Sequence, residues 1–439
     1  VPASTNGQMR VAVLADSDTR WKWGALTAHR LAPDSHLTGF LLRGRATPTV
    51  RQLREVGVRA DRLTEVTSAQ FLEELRNEHY DAVILALVGG AVQAVLHGAR
   101  TLWPEPAHRP VLVTGYVGVV YEKLADGLLL RHGADLVLAN SRHDADRFRA
   151  VYEGVGADAS SVTETALPFL GGAPYGRRTT SAHTVVFAVQ PSVPQTRADR
   201  LYLLGRAAAH ARRHPDREVL VKLRSKPGEH TTHLEEQPYQ RLAEKLPGQL
   251  PVNLRLVYGN MGEVLDRTDL LVTVSSTAAL ESLHRGIPTA VLTDLGVREA
   301  LGNHHFLGSG CLASWDQLDA GLLPEPDADW LARQGVASEG PYERAFDTAR
   351  DRLKDLVSRR ELPPPAPYYT LTTAPGYLPG LLARHHLGPD GTALPGAAPA
   401  QDTSRVRRAV RSALRDAARG AYRHGVQRVA PVIRRMGEL

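Results

Sequence analysis

Apolar runs recur along the first third of the chain at strand–helix spacing. Val11-Ala12-Val13-Leu14-Ala15 is the first, closed by Asp16-Ser17-Asp18. Runs at 38–42, 81–87, 110–116 and 135–141 follow. Each is continuous rather than alternating, which predicts strands buried on both faces. Between them, apolar residues take helical spacing over 24–31, 51–57, 69–79, 90–102, 122–132 and 142–153. Strand, helix and strand in repetition predict a parallel α/β sheet.

The stretch 168–176, rich in Gly and Pro, interrupts this pattern and predicts a linker. The alternation then restarts, with strands expected at 184–189, 218–224, 252–257, 270–274 and 288–292. Helices are expected at 197–213, 261–267, 278–285, 327–335 and 341–358. The prediction is an α/β protein with two Rossmann-like domains facing across a cleft, 1–175 and 176–362. Residues 363–402, dense in Pro and Gly, predict irregular structure, with Tyr368–Thr372 apolar enough to pack locally. From 403 to 439, Val406, Val410, Leu414, Ala418 and Tyr422 step by four beside Arg407, Arg411, Arg415, Arg419 and Arg423. That pattern predicts a basic amphipathic C-terminal helix.

Length and composition agree with this division. The 439 residues fit two or three domains, and 43% apolar with 23% charged residues is ordinary globular composition. A single cysteine, Cys311, excludes a disulfide scaffold and a thiolate zinc cluster. No apolar run approaches the ~18 residues of a membrane span. No basic cluster followed by an apolar run opens the chain, so no secretory signal is seen and the cytoplasm is the expected compartment. The net charge of +6 is unevenly placed. From Thr403 to Leu439 stand ten Arg, no Lys and two acids, leaving the body slightly acidic. The body is therefore not expected to bind nucleic acid. The tail is the part suited to an anionic membrane surface.

In open α/β sheets ligands sit at the carboxyl ends of strands, so the candidate chemistry is sought there. Leu270–Val274 is followed by Ser275-Ser276-Thr277 and then a helix. Three hydroxyls and a helix start suit a phosphate or diphosphate, with Glu281 one turn further in to accept ribose hydroxyls. An ordinary Ser/Thr helix cap explains the same residues. Lys222 and Arg224 end another strand and can neutralise a donor phosphate or carboxylate; a solvated loop with Lys226, His230 and His233 is the alternative. Asp16 and Asp18 follow the first strand and are candidate general bases. Arg20, Trp21 and Trp23 beside them are candidate acceptor contacts, the tryptophans by stacking on a sugar. Capping and core packing would also account for this group. Glu122, after the glycines of Thr114–Gly118, is a third candidate base or a helix-start carboxylate. Asn140 and Ser141 end the fifth strand, where capping alone suffices. The histidines lack partners at ligand spacing, so no metal is expected, and no other cofactor. The first strand is not followed by Gly-x-Gly-x-x-Gly, and no Walker motif or Gly-x-Ser-x-Gly elbow is present.

The segments Gly133–Phe148 and Leu270–Leu292 resemble the two halves of a GT-B glycosyltransferase. The second is similar to the donor region of bacterial capsule β-Kdo transferases and polysialyltransferases. The chain also resembles uncharacterised actinobacterial glycosyltransferase-like proteins. The resemblance implies that Ser275, Ser276 and Thr277 hold the phosphate of a CMP-linked donor. The His-Pro motif of those families has no counterpart, since Lys222-Leu223-Arg224 stands in its place. The expected activity is metal-independent transfer of a sugar from a nucleotide-activated donor, favoured to be a CMP-ulosonic acid, to a glycan or lipid-linked acceptor of the cell surface. A sugar-nucleotide 2-epimerase and a non-catalytic glycan- or lipid-binding protein are the alternatives.

Overall fold

The computed structural model describes residues 8–44, 46–119, 123–176, 183–226, 229, 235–336 and 341–394. Glu122, His230, His233 and the basic tail lie outside the described residues.

The chain divides into two compact units. The first holds β1 (Arg10–Ala15), β2 (His36–Leu42), β3 (Arg62–Val66), β4 (Ala82–Ala86), β5 (Val111–Gly115), β6 (Leu136–Ala139) and β7 (Val162–Glu164). These form one parallel sheet in the order β3-β2-β1-β4-β5-β6-β7. The second unit holds β8 (His183–Ala188), β9 (Arg217–Lys222), β10 (Leu254–Val257), β11 (Leu270–Thr273), β12 (Thr289–Leu292) and β13 (Leu312–Ala313). Its parallel order is β10-β9-β8-β11-β12-β13. Both are doubly wound sheets of Rossmann type, as the sequence predicts. Their winding reverses between β1 and β4 in one and between β8 and β11 in the other.

Strands β3 and β7 lie outside the sequence expectation for a physical reason. Both are sheet edges. Arg62-Leu63-Thr64-Glu65-Val66 is polar and largely exposed, and β7 is three residues long. Neither shows the continuous apolar run of a buried strand.

Close helix–sheet contact depends on small residues. The helix Asp18–Leu31 starts on Ser17, whose Oγ accepts the Arg20 N–H, and packs against β1 and β4. A Cβ on Gly24 would stand 2.7 Å from Val13 Cγ1 and 2.8 Å from Ala86 Cβ. Only glycine lets the helix backbone approach that closely.

The sequence draws the second domain to 362 but leaves the helix at 341–358 either against that half or spanning back to the first. In the structure that segment belongs to the first unit. Arg350 Nε donates to the Arg30 carbonyl at 2.8 Å, and Arg352 Nη1 donates to Thr163 Oγ1 at 2.6 Å. The Pro-rich stretch beyond it also packs on the first unit. Leu362 pairs with Ala107, and Arg109, 5% exposed, binds both the Pro363 carbonyl and the Asp135 carboxylate. Leu378, Leu381, Leu382 and Leu387 complete the core on that side. Apolar residues at 378, 381 and 382 form the buried face of a short helix, Leu378–Arg384, within an otherwise irregular segment.

Candidate functional site

The switch point of the second sheet brings together most of the predicted donor residues. Gln190, just past β8, and Ser275, just past β11, meet across it. Gln190 Oε1 accepts the Ser275 N–H at 3.0 Å and lies 3.3 Å from Ser275 Oγ. Ser275 is 4% exposed and donates its hydroxyl to the Leu301 carbonyl at 2.6 Å. This corrects its expected role: a buried hydroxyl already donated to a carbonyl ties the turn down rather than facing a ligand. Ser276 and Thr277 are half-buried. Ser276 Oγ accepts the Ala278 N–H at 3.2 Å, while the Thr277 hydroxyl makes no cap bond at the start of the helix Ala278–His284. Glu281, in the first turn of that helix, is only 8% exposed.

Lys222 closes β9, 7% exposed, and its Nζ donates to the Leu223 carbonyl at 2.7 Å. Arg224 lies two residues beyond the strand in the following loop and is half-buried, so strand alternation does not pair it with Lys222. Lys226 is exposed, with Nζ 5.8 Å from the Tyr258 ring centre.

Two residues at this switch point escape sequence reasoning. Arg200, in the helix Arg197–Arg213, is 1% exposed and reaches back to the loop after β8. Glu235 lies 3.2 Å from Arg200 Nη1. Burial pushes the Glu235 carboxyl up to about 7, against the opposing pull of the Arg200 guanidinium. Neither carries a motif. An arginine on an amphipathic helix normally reads as surface, and only the fold turns it inward.

In the first unit, Asp16 stands at the switch between β1 and β4. Its Oδ1 is 2.9 Å from Arg20 Nη1, and its Oδ2 accepts the Val88 N–H at 2.9 Å. Arg20 also reaches Ser17 Oγ at 3.3 Å. Asp18 is half-buried in the first helical turn, with Thr19 Oγ1 3.3 Å from its Oδ1. The expectation of stacking tryptophans is corrected. Trp21 and Trp23 are each 1% exposed and face the sheet, Trp21 over Gly39 and Trp23 over Gly115. A ring so fully buried presents no face to a sugar. Asn140 is 1% exposed and donates from Nδ2 to the Tyr116 and Gly118 carbonyls at 2.7 and 3.0 Å. It holds the loop that leads toward Glu122. Ser141 caps the next helix by accepting the Asp144 N–H at 3.0 Å.

Among the described residues, one group of three metal-ligating side chains converges: His210, His214 and Asp319. Its shortest contact is a hydrogen bond, His210 Nδ1 to Asp319 Oδ1 at 2.6 Å. Arg217 Nη1 faces the other His210 ring nitrogen at 3.3 Å. A guanidinium at that place opposes a divalent cation, and hydrogen bonding accounts for the pair. Cys311 is buried, and burial pushes its thiol up to about 11, away from the reactive thiolate.

Two doubly wound parallel-sheet units, each with polar residues at its switch point, are the architecture of the GT-B fold. The chain belongs to the family described as "Putative glycosyltransferase (DUF6716)", whose model matches residues 11–356. No curated protein matches it. Among solved structures it is similar to the Staphylococcus aureus MnaA–UDP co-structure, with 11% identity, TM-score 0.52, and coverage of 80% of this chain and 99% of that one. It is also similar to UDP-GlcNAc 2-epimerase from Neisseria meningitidis bound to UDP-GlcNAc, with 11% identity, TM-score 0.52, and coverage of 79% and 100%. At such identity these structures share the fold alone. No helix among the described residues is long and apolar enough to cross a membrane.

Proposed function

We propose that the chain is a metal-independent glycosyltransferase that takes a nucleotide-activated sugar on its second unit and an acceptor hydroxyl on its first. The observation that carries this reading is the turn after β11. Ser276 and Thr277 stand half-buried at a doubly wound switch point, beside the end of β8. Backbone and hydroxyl donors there suit an anionic phosphate. Lys222 at the end of β9 and Arg224 two residues beyond it supply positive charge to the leaving phosphate, the main lever for a transfer without a metal. Glu281 serves the ribose.

Asp18 is the favoured base among the described carboxylates, because both Asp16 oxygens are already engaged. Glu122, outside the described residues, is its rival. Arg20 works through Asp16 rather than on the acceptor. The likeness of Leu270–Leu292 to capsule β-Kdo transferases and polysialyltransferases favours a CMP-linked ulosonic acid as donor, delivered to a glycan or lipid-linked acceptor at the cell surface. The basic tail would hold the enzyme near anionic lipid.

Thermal stabilisation against CMP, CDP, UMP, UDP and GDP, each with and without Mg²⁺, tests this reading. A ligand at 100 times its Kd adds about 2.7 kcal/mol. A Mg²⁺-independent shift selective for CMP supports the ulosonic-acid donor. A shift selective for UDP moves the donor to the nucleotide bound in the structural relatives, and turnover without acceptor then makes the enzyme an epimerase. No shift with any nucleotide removes the donor site.

A further inference from the structure

We propose that Gln190 and Arg200 form the positioning device of the donor site: Gln190 bridges the switch point of the second sheet to hold the Ser275–Thr277 turn, and Arg200 holds the loop that carries Gln190. The inference deepens the donor-site reading and rests on it for its catalytic meaning, though not for its geometry.

At a doubly wound switch point the loops after the two central strands leave in opposite directions and open the crevice where ligands sit. Here those strands are β8 and β11. The Gln190–Ser275 bond spans the opening. Its polarity is fixed, because an amide N–H can only donate, so the atom facing Ser275 N at 3.0 Å is the Gln190 oxygen. With the Ser275 hydroxyl on Leu301, the turn is pinned from two sides. The half-buried Ser276 and Thr277 follow directly and take their place from it.

The loop that presents Gln190 cannot hold itself. Gln190-Pro191-Ser192-Val193-Pro194 contains two prolines, which bring carbonyls but no N–H donors. Arg200 supplies what is missing. Nε donates to the Pro194 carbonyl at 2.7 Å, Nη2 to the carbonyls of Gln190 at 3.2 Å and of Pro191. Nη1 donates to the Gln237 carbonyl at 3.0 Å and to Glu235 Oε1 at 3.2 Å. All five guanidinium hydrogens are thus used, three of them on this loop. A lysine offers three donors from one point and cannot reproduce this fork. Tyr239 closes the far side, its ring 5.1 Å from the guanidinium carbon.

The test compares Gln190→Leu, Gln190→Glu and Arg200→Lys in the full chain, by amide hydrogen exchange over 271–282 and by nucleotide affinity. Gln190→Leu removes the acceptor on a half-buried side chain and is expected to melt near the wild type. It should speed Ser275 exchange and weaken CMP or UDP binding, each by about tenfold. Gln190→Glu keeps the accepting oxygen and should regain most of the exchange protection, which a filling role alone would not give, while its charge opposes a nucleotide phosphate. Arg200→Lys should speed exchange at both 190–196 and 271–282. Unchanged Ser275 exchange in folded Gln190→Leu overturns the inference, as does equally fast Ser275 exchange in Gln190→Glu. If no nucleotide binds the wild type, the donor reading fails by itself, and hydrogen exchange still decides whether Gln190 and Arg200 position the turn.

Discussion

Asp16 divides its carboxylate between two partners: Oδ1 lies 2.9 Å from Arg20 Nη1, and Oδ2 accepts the Val88 N–H at 2.9 Å. It thereby ties the end of β1 to the residue that precedes the helix Gly89–Leu102. Asp16→Ala is expected to lower stability by about 1–3 kcal/mol, through the stranded amide and arginine. Denaturant unfolding reads the loss. Asp18→Asn separates structure from chemistry. It should melt close to the wild type and reduce turnover by roughly a hundredfold or more, as for a removed base. Full turnover in Asp18→Asn would transfer that role to Glu122.

Gly24 sets the distance between its helix and the first sheet. Gly24→Ala should destabilise by about 1–3 kcal/mol despite the higher helix propensity of alanine, because the new methyl meets Val13 and Ala86. A raised melting temperature would contradict the close approach.

Arg109 and Asp135 make a bidentate pair at 2.8 and 2.9 Å, with the Arg109 side chain 1% exposed. Asp135 also accepts the Leu112 N–H at 2.7 Å, and Arg109 Nη2 donates to the Pro363 carbonyl at 2.6 Å. Arg109→Met leaves the half-buried Asp135 carboxylate without its cation and should cost about 1–3 kcal/mol. It should also expose the 363–394 segment to limited proteolysis before the remainder of the first unit.

Glu235 couples the donor-site loop to pH. Its folded value near 7 stands above the ordinary 4.5, so the folded state holds the proton more tightly. The associated stability is complete below about 4.5 and is lost as pH rises through about 7, roughly 2–4 kcal/mol in all. Glu235→Gln should abolish this dependence. His210 acts in the opposite direction. Burial lowers its pKa, so stability falls as pH drops below the ordinary 6.5. The difference between wild type and Glu235→Gln across about pH 5–8 is therefore the measurement, and a flat difference would refute the assignment.

At the donor turn, Ser276→Ala with Thr277→Val should weaken nucleotide binding by about tenfold or more with little change in melting. Lys222→Ala should lower kcat as well as stability, since the side chain is buried. Ser275→Ala should act on stability first, because its hydroxyl serves the Leu301 carbonyl.

The sequence by itself determined the two sheets and where their carboxyl ends fall. Burial on both faces demands unbroken apolar runs such as Val11–Ala15 and Leu270–Val274, and that demand is local enough to be legible. It also placed the Ser275–Thr277 turn, because a helix following a strand shows its hydroxyl start in the chain. What it could not determine was the direction each polar side chain takes. Trp21 and Trp23 look like sugar contacts beside two aspartates and become core, because glycines at 39 and 115, distant in sequence, leave room for their rings. Arg200 looks like surface and is buried among carbonyls of a proline-containing loop. The edge strands β3 and β7 and the return of 341–394 to the first unit were likewise decided by partners far along the chain. Backbone periodicity is encoded within a few residues, whereas the fate of a hydrogen-bonding or aromatic side chain depends on which groups the completed fold brings opposite it.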